Sequence, residues 1–295
     1  MLPDLIYDVG MNNGDDTAYY LSRGYRVIAI EANPLLVEEC SKRFAAEVAN
    51  GRLEILNVGV SDREGAFPFW ICETVSEWSS FNREIASRDG CPHHELTIPC
   101  RRFSSILAEH GIPFYLKIDI EGNDMLCVQE LEKGGIPKYL SLEAATADPI
   151  DRLLELGYTE FKCISQRNFL PLEMPPSPEQ GRFEQTLEQL YTPDIFMRIR
   201  RALGAKKRLL RQLDESHFSV DWKFQLGSSG PFGEDLRGRW QSAAEMRETY
   251  RIFQDLSAKR TPSIFWDDRE YSFWFDLHAR RALPLPPRLT ITPAF

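Results

Sequence analysis

Acidic residues that follow two apolar segments are the side chains of this sequence best placed to do chemistry. Asp119 and Glu121 lie at the end of a strand predicted over residues 114–120, and Glu143 follows a second strand predicted over residues 139–142. Ligands of open α/β sheets bind beyond the carboxyl ends of the strands, so these carboxylates should meet at one rim. A carboxylate there can accept the proton of a reacting hydroxyl group. We expect only one of Asp119 and Glu121 to face the cleft directly, and we predict Asp119 as the catalytic base with Glu143 as second candidate.

Histidine side chains offer alternative bases. His93 and His94 lie in residues 73–95, a long segment without helical or strand periodicity that we predict to be a functional loop. His94 is therefore a third candidate base, although a loop histidine can equally be exposed to solvent. His278 lies in a helix predicted over residues 270–281, and we expect it to pack rather than to catalyse.

The same acidic region contains the oxygen ligands that hard cations prefer. Asp119, Glu121 and Asp124 could hold Mg²⁺. Their i, i+2, i+5 spacing crosses a strand end and does not converge by itself, so we assign no metal-binding residues. These acids can also hydrogen-bond a cofactor or the backbone, and Lys117 should be a structural partner of a nearby acid.

The elements that must position these residues begin with a strand, a glycine-containing turn, a helix and a second strand over residues 4–33. The apolar run at residues 5–9 suits a strand that is buried on both faces. Residues 10–14 read Gly-Met-Asn-Asn-Gly, which favours a turn with positive φ, and Asp15 opens a helix. The second strand ends at Glu31. A crossover of this length between parallel strands is the first unit of a doubly wound α/β fold.

The acidic residues near this turn indicate which ligand it would bind. A dinucleotide fingerprint needs a glycine where this chain has Asn12, and Asp15 and Asp16 in the first helical turn would repel a pyrophosphate. Glu31, about twenty residues after the turn, is placed to hydrogen-bond a ribose diol. A nucleoside with a cationic side arm meets these demands, and S-adenosyl-L-methionine is the common example. A glycine turn in an unrelated α/β protein is the alternative.

The remaining chain is predicted to add strands, helices and an insertion. We expect residues 1–166 to form the core, residues 167–216 a helical insertion over the active-site rim, and residues 217–295 the last core strand with a C-terminal helical extension or cap. The last strand is predicted over residues 218–226, pairing with residues 158–164. Further helices are predicted over residues 247–259 and 270–281.

Composition excludes several classes of function. The chain has 295 residues and a net charge of −9, which argues against general binding of nucleic acid or an anionic membrane. Its start lacks a signal-peptide pattern and no apolar run is long enough to span a membrane. Six widely spaced cysteines without a C-x-x-C pair indicate reduced thiols in a cytoplasmic protein. Oligomeric state stays open.

Five short motifs in order resemble those of the FkbM family of S-adenosylmethionine-dependent methyltransferases. They are D-V-G-M-N-N-G at residues 8–14, E-A-N-P at 31–34, N-V-G-V-S at 57–61, K-I-D-I-E-G at 117–122 and Y-L-S-L-E at 139–143. The resemblance covers about residues 5–166. It implies a Rossmann-like class I methyltransferase with a mostly parallel seven-stranded sheet, helices on both faces and a final antiparallel strand.

The resemblance also implies an activity and a set of site residues. The family is associated with O-methylation of sugars, glycans and small natural-product-type metabolites, so a small-molecule or glycan substrate is expected. An NAD-linked oxidoreductase and a non-catalytic module that retains the fold are the alternatives. The residues expected to bind the cofactor are Asp8, Gly10, Asn12, Asn13, Gly14, Asp15, Glu31, Ala32, Asn33, Val60, Ser61, Asp119 and Glu121.

Overall fold

A strand buried on both of its faces lies at the centre of the structure. The computed structural model describes residues 1–131, 135–206, 208–209, 221–225, 227–265 and 274–281. Within these ranges the strands are β1 Leu2–Val9, β2 Arg26–Ile30, β3 Leu53–Leu56, β4 Gly59–Val60, β5 Gly65–Cys72, β6 His93–Arg101, β7 Pro113–Ile118, β8 Tyr139–Glu143, β9 Glu160–Ser165, β10 Pro171–Leu172, β11 Gln241–Ser242 and β12 Phe275–Arg280. The α-helices are α1 Asp15–Ser22, α2 Pro34–Arg43, α3 Ala45–Ala49, α4 Arg83–Ala86, α5 Phe103–His110, α6 Asp124–Glu130, α7 Pro149–Glu155, α8 Pro178–Leu190, α9 Ile195–Ala202 and α10 Ala243–Ala258.

The main sheet has the strand order β10-β9-β12-β8-β7-β1-β2-β3, and β11 also pairs with β9. Strands β8, β7, β1, β2 and β3 run parallel to one another, whereas β12 runs antiparallel to both β8 and β9. The expected seven strands are not confirmed, because this sheet has nine. The two-residue strands β10 and β11 extend its edge beside β9.

Helices cover both faces of this sheet, as expected for an α/β fold. Leu5, Tyr7 and Val9 of β1 belong to a core that also contains apolar residues of α5, α6, α7 and α10. Ile6 points to the other side, into a core shared with Tyr19 of α1 and with residues of α2. The alternation of β1 between two cores explains why its apolar run is nearly continuous.

The predicted position of the last strand is wrong. Residues 221–225 of the predicted strand 218–226 are not in a strand, and its other residues lie outside the described ranges. The last strand is β12, inside the predicted helix 270–281. Residues 275–279 are all buried, because β12 lies inside the sheet between β8 and β9 and both of its faces are covered.

Strands β4, β6 and β5 form a second sheet, in that order. Pairing of β5 with β6 places Cys72 opposite His93, and a disulfide joins Cys72 to Cys91. The prediction of reduced cysteines is therefore wrong for this pair. Linear spacing hid the bond, because the two residues are 19 apart and meet only through strand pairing. The other four cysteines, Cys40, Cys100, Cys127 and Cys163, are free and buried.

Helices α8 and α9 occupy part of the predicted insertion. Apolar side chains of α9 and of the residue that follows it are exposed to solvent. Those more than half exposed are Ile195, Phe196, Ile199 and Leu203. Among the described residues, no helix has the length and apolar character needed to cross a membrane. No described residue of the insertion lines the cleft discussed below, so its position over the rim stays a prediction.

Candidate functional site

A cleft opens at the carboxyl ends of β1, β2 and β7, where the motifs converge. It contains about 1040 Å³ of unfilled space counted out to its mouth. Gly10 follows β1, Glu31 follows β2 and Asp119 follows β7, and all three line it. The parallel order of these strands therefore brings together residues that are more than 100 positions apart in sequence, as sheet topology predicts.

The turn after β1 has the backbone conformation that its sequence predicts. Gly10, Asn12 and Gly14 have φ of 85°, 48° and 81°. A Cβ atom at Gly10 would lie 1.7 Å from the carbonyl oxygen of Asp119, so only glycine allows these two strand ends to approach so closely. Gly10 thus fixes the depth of the cleft.

Lys117 lies under this turn and acts as its structural support. Its side chain is 3% exposed, and Nζ donates to the carbonyl oxygen of Gly10 at 2.7 Å. Nζ also lies 3.2 Å from Asp8 Oδ1 and 3.8 Å from Asp119 Oδ2. Despite burial, which opposes the charged form, these carboxylates raise the pKa of Lys117 above its ordinary value. Lys117 therefore stays charged and is the partner of acids that the sequence suggested.

Glu31 lines the cleft and is held in place by two backbone amides. Its Oε2 accepts from Asn12 N and its Oε1 from Asn33 N, both at 2.8 Å. Burial raises the pKa of this carboxyl group, while the two N–H donors and Lys117 oppose the rise. A carboxylate has about four acceptor positions, so acceptor capacity remains on both oxygens for a ligand's hydroxyl groups.

Part of the cleft, which we call the apolar end, has an apolar wall. This wall includes Val60 of β4 and the rings of Phe69 and Phe81 from the second sheet and its loop. Phe81 is packed so tightly against Gly59 that a Cβ atom there would lie 2.4 Å from the ring. Other apolar lining residues are Ile30, Ala32, Leu36 and Val58. This end suits a flat, weakly polar ring.

Another part of the cleft, which we call the acidic end, is lined by carboxyl groups. Asp119 and Glu121 line it, and one carboxylate oxygen from each lies within 4.8 Å of the others and of one from Glu143. Burial raises the pKa of all three groups, and their mutual repulsion raises it further for Glu121, to about 7, and for Glu143, to about 9. Three carboxyl groups held this close favour a positively charged ligand.

Both Asp119 and Glu121 face the cleft, contrary to the expectation that only one would. Strand β7 ends at Ile118, so the strand alternation no longer applies at these positions. Glu121 has φ of 46°, in the left-handed region, and turns its side chain toward the rim. The change of backbone conformation after the strand is the physical reason for the difference.

The long segment between β5 and β6, which was predicted to be a functional loop, contributes residues to the wall of the cleft. Ser76 Oγ donates to Asn12 Oδ1 at 3.0 Å, and Ser80 Oγ donates to the carbonyl oxygen of Glu121 at 2.9 Å. The loop therefore connects the turn after β1 to the turn after β7. The Cys72–Cys91 disulfide closes its base.

The acids in the first turn of α1 are both paired. Asp15 Oδ1 lies 2.9 Å from Arg43 Nη1. Asp16 is buried, accepts from the hydroxyl of Ser228 and, at 3.1 Å, from Ser229 N. Burial raises the pKa of Asp16 to about 6. The glycine-containing segment at residues 227–230 therefore hydrogen-bonds to the first turn of α1. This segment contains no lysine.

Most of the predicted cofactor residues meet in the cleft. Those that line it are Gly10, Asn12, Asn13, Asp15, Glu31, Ala32, Val60, Asp119 and Glu121. The structure places four others behind its surface or away from it. Asp8 is fully buried and accepts from Thr17, Gly14 is the N-cap of α1, Asn33 is the N-cap of α2, and Ser61 donates to the carbonyl oxygen of Arg63.

The candidate bases are placed unequally. Asp119 lines the cleft, while Glu143 lies behind it and is not among its lining residues. His94 is not brought to the cleft: it belongs to β6, pairs with Ile71, and lies 3.0 Å from Glu73 in solvent. Strand pairing fixes this histidine, which the sequence suggested was in a movable loop.

Sequence reasoning missed several lining residues. Gln166, Gln225 and Trp274 reach the cleft from three separate parts of the C-terminal half. Ser76 and Glu77 come from the loop that was predicted as functional without naming its residues. Short motifs such as K-I-D-I-E-G indicate only the ends of strands. The missed residues reach the cleft through long-range packing, which short motifs do not predict.

Comparison with known protein families identifies the domain to which the strands at this cleft belong. A family model described as "Methyltransferase FkbM domain" matches residues 8–152. Residues 8–152 are an FkbM-family methyltransferase domain. The resemblance seen in the sequence motifs is thereby confirmed, and the FkbM domain contains Gly10, Glu31 and Asp119, the residue after each of the three strands at the cleft.

Two individual proteins are also similar to this chain. A probable ribosomal RNA small subunit methyltransferase A from Methanospirillum hungatei is 40% identical over 52 residues, which are 18% of this chain and 20% of that protein. The chain thus matches about a fifth of that relative's length. A crystal structure of precorrin-6y C5,15-methyltransferase from Geobacter metallireducens aligns with 56% of this chain and 69% of its own, at 15% identity and a TM-score of 0.32.

Proposed function

We propose that this FkbM-domain protein transfers a methyl group from S-adenosyl-L-methionine to a hydroxyl oxygen of a sugar, glycan or small natural-product-type metabolite. Membership of residues 8–152 in a methyltransferase family supports methyl transfer. The cofactor and the oxygen acceptor are inferred from the chemistry of the cleft.

The observation that carries the cofactor assignment is that one cleft combines Glu31 with an apolar part and an acidic part. The apolar end around Val60, Phe69 and Phe81 suits an adenine ring. Glu31 retains acceptor capacity for the two ribose hydroxyl groups. The acidic end attracts the positive charges of the sulfonium and amino groups. A dinucleotide fits less well, because its pyrophosphate would lie near Asp15 and Asp16.

The acceptor assignment depends on Asp119. When bound, S-adenosyl-L-methionine supplies an electrophilic methyl group, whose bond to sulfur breaks as a bond to the acceptor oxygen forms. The protein must orient that oxygen, exclude water and accept the hydroxyl proton. Asp119 lines the acidic end with its side chain 22% exposed, so it is the carboxylate we assign to receive the proton. Glu143 is the alternative base.

The proposed activity is tested by incubating the protein with S-adenosyl-L-methionine and matched acceptors. Monosaccharide and glycan hydroxyls are compared with amines of similar size, and released S-adenosylhomocysteine is measured. We expect turnover on at least one hydroxyl acceptor and none on its amine counterpart. Turnover on amines alone would overturn O-methylation. Cofactor binding without turnover on any hydroxyl would favour a non-catalytic module.

A further inference from the structure

The acidic end of the cleft has the dimensions of a cation site. One oxygen each from Asp119, Glu121 and Glu143 lies within 4.8 Å of the other two. An ion that binds oxygen at about 2.4 Å can bridge two ligands up to about 4.8 Å apart when they lie on opposite sides of it. Three oxygens spaced evenly around such an ion would be about 4.2 Å from one another, so the three carboxylates can share one ion if they approach slightly.

The protein supplies little positive charge to these groups. Among the described residues, Lys117 lies 3.8 Å from Asp119 and Arg88 lies 3.5 Å from Glu121. Lys117 is also shared with Asp8 and Asp16, at 3.2 and 4.0 Å. Within the same part of the chain, Glu143 has no ion pair. The site thus contains more carboxylate than its neighbouring side chains can neutralise.

Asp276 provides an independent sign of a missing partner. It is 1% exposed and lies opposite Glu143 in the β8–β12 pairing, so both side chains are on the same face of the sheet. Oδ1 accepts from Gln166 at 2.5 Å, whereas Oδ2 is buried and accepts no hydrogen bond from the residues that the structure describes. Buried polar atoms are nearly always paired, so this oxygen calls for a donor. Water bound to a cation at Asp119, Glu121 and Glu143 would provide that donor.

We propose that Asp119, Glu121 and Glu143 bind one divalent cation of the oxygen-preferring class, such as Mg²⁺, Mn²⁺ or Ca²⁺. All three ligands are carboxylates, which these ions prefer over the softer metals. Asp276 accepts a hydrogen bond from water in the ion's coordination shell. Glu143 replaces Asp124, the third ligand considered from the sequence, because Asp124 Oδ1 accepts from Ile120 N at 3.3 Å instead.

The ion has a role that rests on the proposed methyl transfer to a hydroxyl group. A cation beside the acidic end would coordinate the acceptor oxygen and lower the pKa of its hydroxyl. The proton would then be released to Asp119 or to solvent more readily than from a free alcohol. Binding of the ion itself does not depend on this role.

The test is a titration of the full-length protein, freed of metal with a chelator, with Mn²⁺. Free Mn²⁺ is measured by electron paramagnetic resonance, without cofactor or acceptor. We expect one saturable site per chain that Mg²⁺ or Ca²⁺ displaces. Glu121→Gln and Glu143→Gln should each weaken it by about tenfold or more. Glu38→Gln, an exposed residue of α2 that pairs with Lys42, removes the same charge elsewhere and should leave affinity unchanged.

Two results would overturn the cation site. One is the absence of saturable binding to wild-type protein at millimolar Mn²⁺. The other is binding that Glu121→Gln and Glu143→Gln leave as tight as in Glu38→Gln. Circular dichroism of each variant separates loss of a ligand from loss of fold. A parallel titration with S-adenosylhomocysteine keeps the two proposals apart, because failure of Mn²⁺ binding alone leaves the cofactor assignment intact.

Discussion

Glu31 serves both the fold and the cleft. Its two oxygens hold the amides of Asn12 and Asn33, and so connect the turn after β1 to the start of α2. A ligand that uses the remaining acceptor positions meets a carboxylate whose orientation is already fixed. At the residue scale, Glu31 is therefore oriented before the diol that we propose as its ligand arrives.

Asp119→Asn tests the assignment of the base. The substitution keeps the size of the side chain and removes its ability to accept a proton. We expect affinity for S-adenosylhomocysteine to stay within about tenfold while turnover falls by about a hundredfold or more, the scale of losing a general base. The measurement is single-turnover kinetics on the hydroxyl acceptor identified by screening. Turnover equal to that of the wild type would reject Asp119.

The cleft residues that directly follow a strand could be predicted from the sequence. Gly10, Glu31 and Asp119 each follow a clear apolar run, so chain order and sheet topology suffice to bring them together. Trp274 and Gln225 could not be found this way, because no local pattern marks them and their positions depend on how the C-terminal half packs. His94 was misplaced for a related reason, since its strand pairs with one about 20 residues earlier.

At the scale of elements, β12 is a strand in a segment that the sequence predicted to be a helix. The segment is rich in aromatic and helix-compatible residues, and residues on both of its faces are buried. Insertion between β8 and β9 in antiparallel orientation is a tertiary event that the sequence of the strand alone does not encode. The first strand–helix–strand unit was predictable because its crossover is short and its turn residues are distinctive.

Residues 221–225 and 227–240 contribute to the core beside α1, and Phe232 tests their contribution. The ring stacks on Tyr115 with centroids 4.2 Å apart and is 6% exposed. We expect Phe232→Ala to reduce the free energy of unfolding by about 3 kcal/mol or more, since it leaves a cavity. Phe196→Ala, at a ring that is 71% exposed, is the matched control and should change stability by about 0.5 kcal/mol or less. Equal effects in urea unfolding would contradict this packing.

The disulfide-closed loop is the element whose order the cleft needs most. Ser76 and Phe81 are held by a segment whose ends Cys72 and Cys91 join. Replacing both cysteines by serine frees the loop, so more entropy is lost when a ligand orders it. We expect weaker binding of S-adenosylhomocysteine, by about threefold or more, with a nearly unchanged unfolding midpoint for the main sheet. Cys40→Ser, at a free thiol of α2, controls for loss of a cysteine. Unchanged affinity in the double variant would show that the loop is ordered without the bond.

At the scale of the whole molecule, buried His278 makes stability depend on pH. Burial lowers its pKa to about 3, whereas the unfolded value is 6.5. A depressed histidine pKa means that its contribution is complete above the unfolded value and is lost as the pH falls toward 3. Between pH 7 and pH 5 this group alone should remove about 2 kcal/mol from the free energy of unfolding.

Comparison of wild type with His278→Gln isolates this effect. Carboxyl groups with raised pKa, such as Asp276, act in the opposite direction and are common to both proteins. Urea unfolding at pH 7 and pH 5 should therefore show a smaller loss, or a gain, of stability in His278→Gln than in the wild type. The same change in both proteins would show that His278 titrates normally and is not held neutral by the fold.

We propose above all that the cleft of the FkbM domain binds S-adenosyl-L-methionine through Glu31. Isothermal titration with S-adenosylhomocysteine, with NADH in parallel, tests it most directly. We predict micromolar binding of S-adenosylhomocysteine, none of NADH, and a loss of affinity of about tenfold or more in Glu31→Ala but not in Glu38→Gln. No binding of S-adenosylhomocysteine, or tighter binding of NADH, would contradict the account.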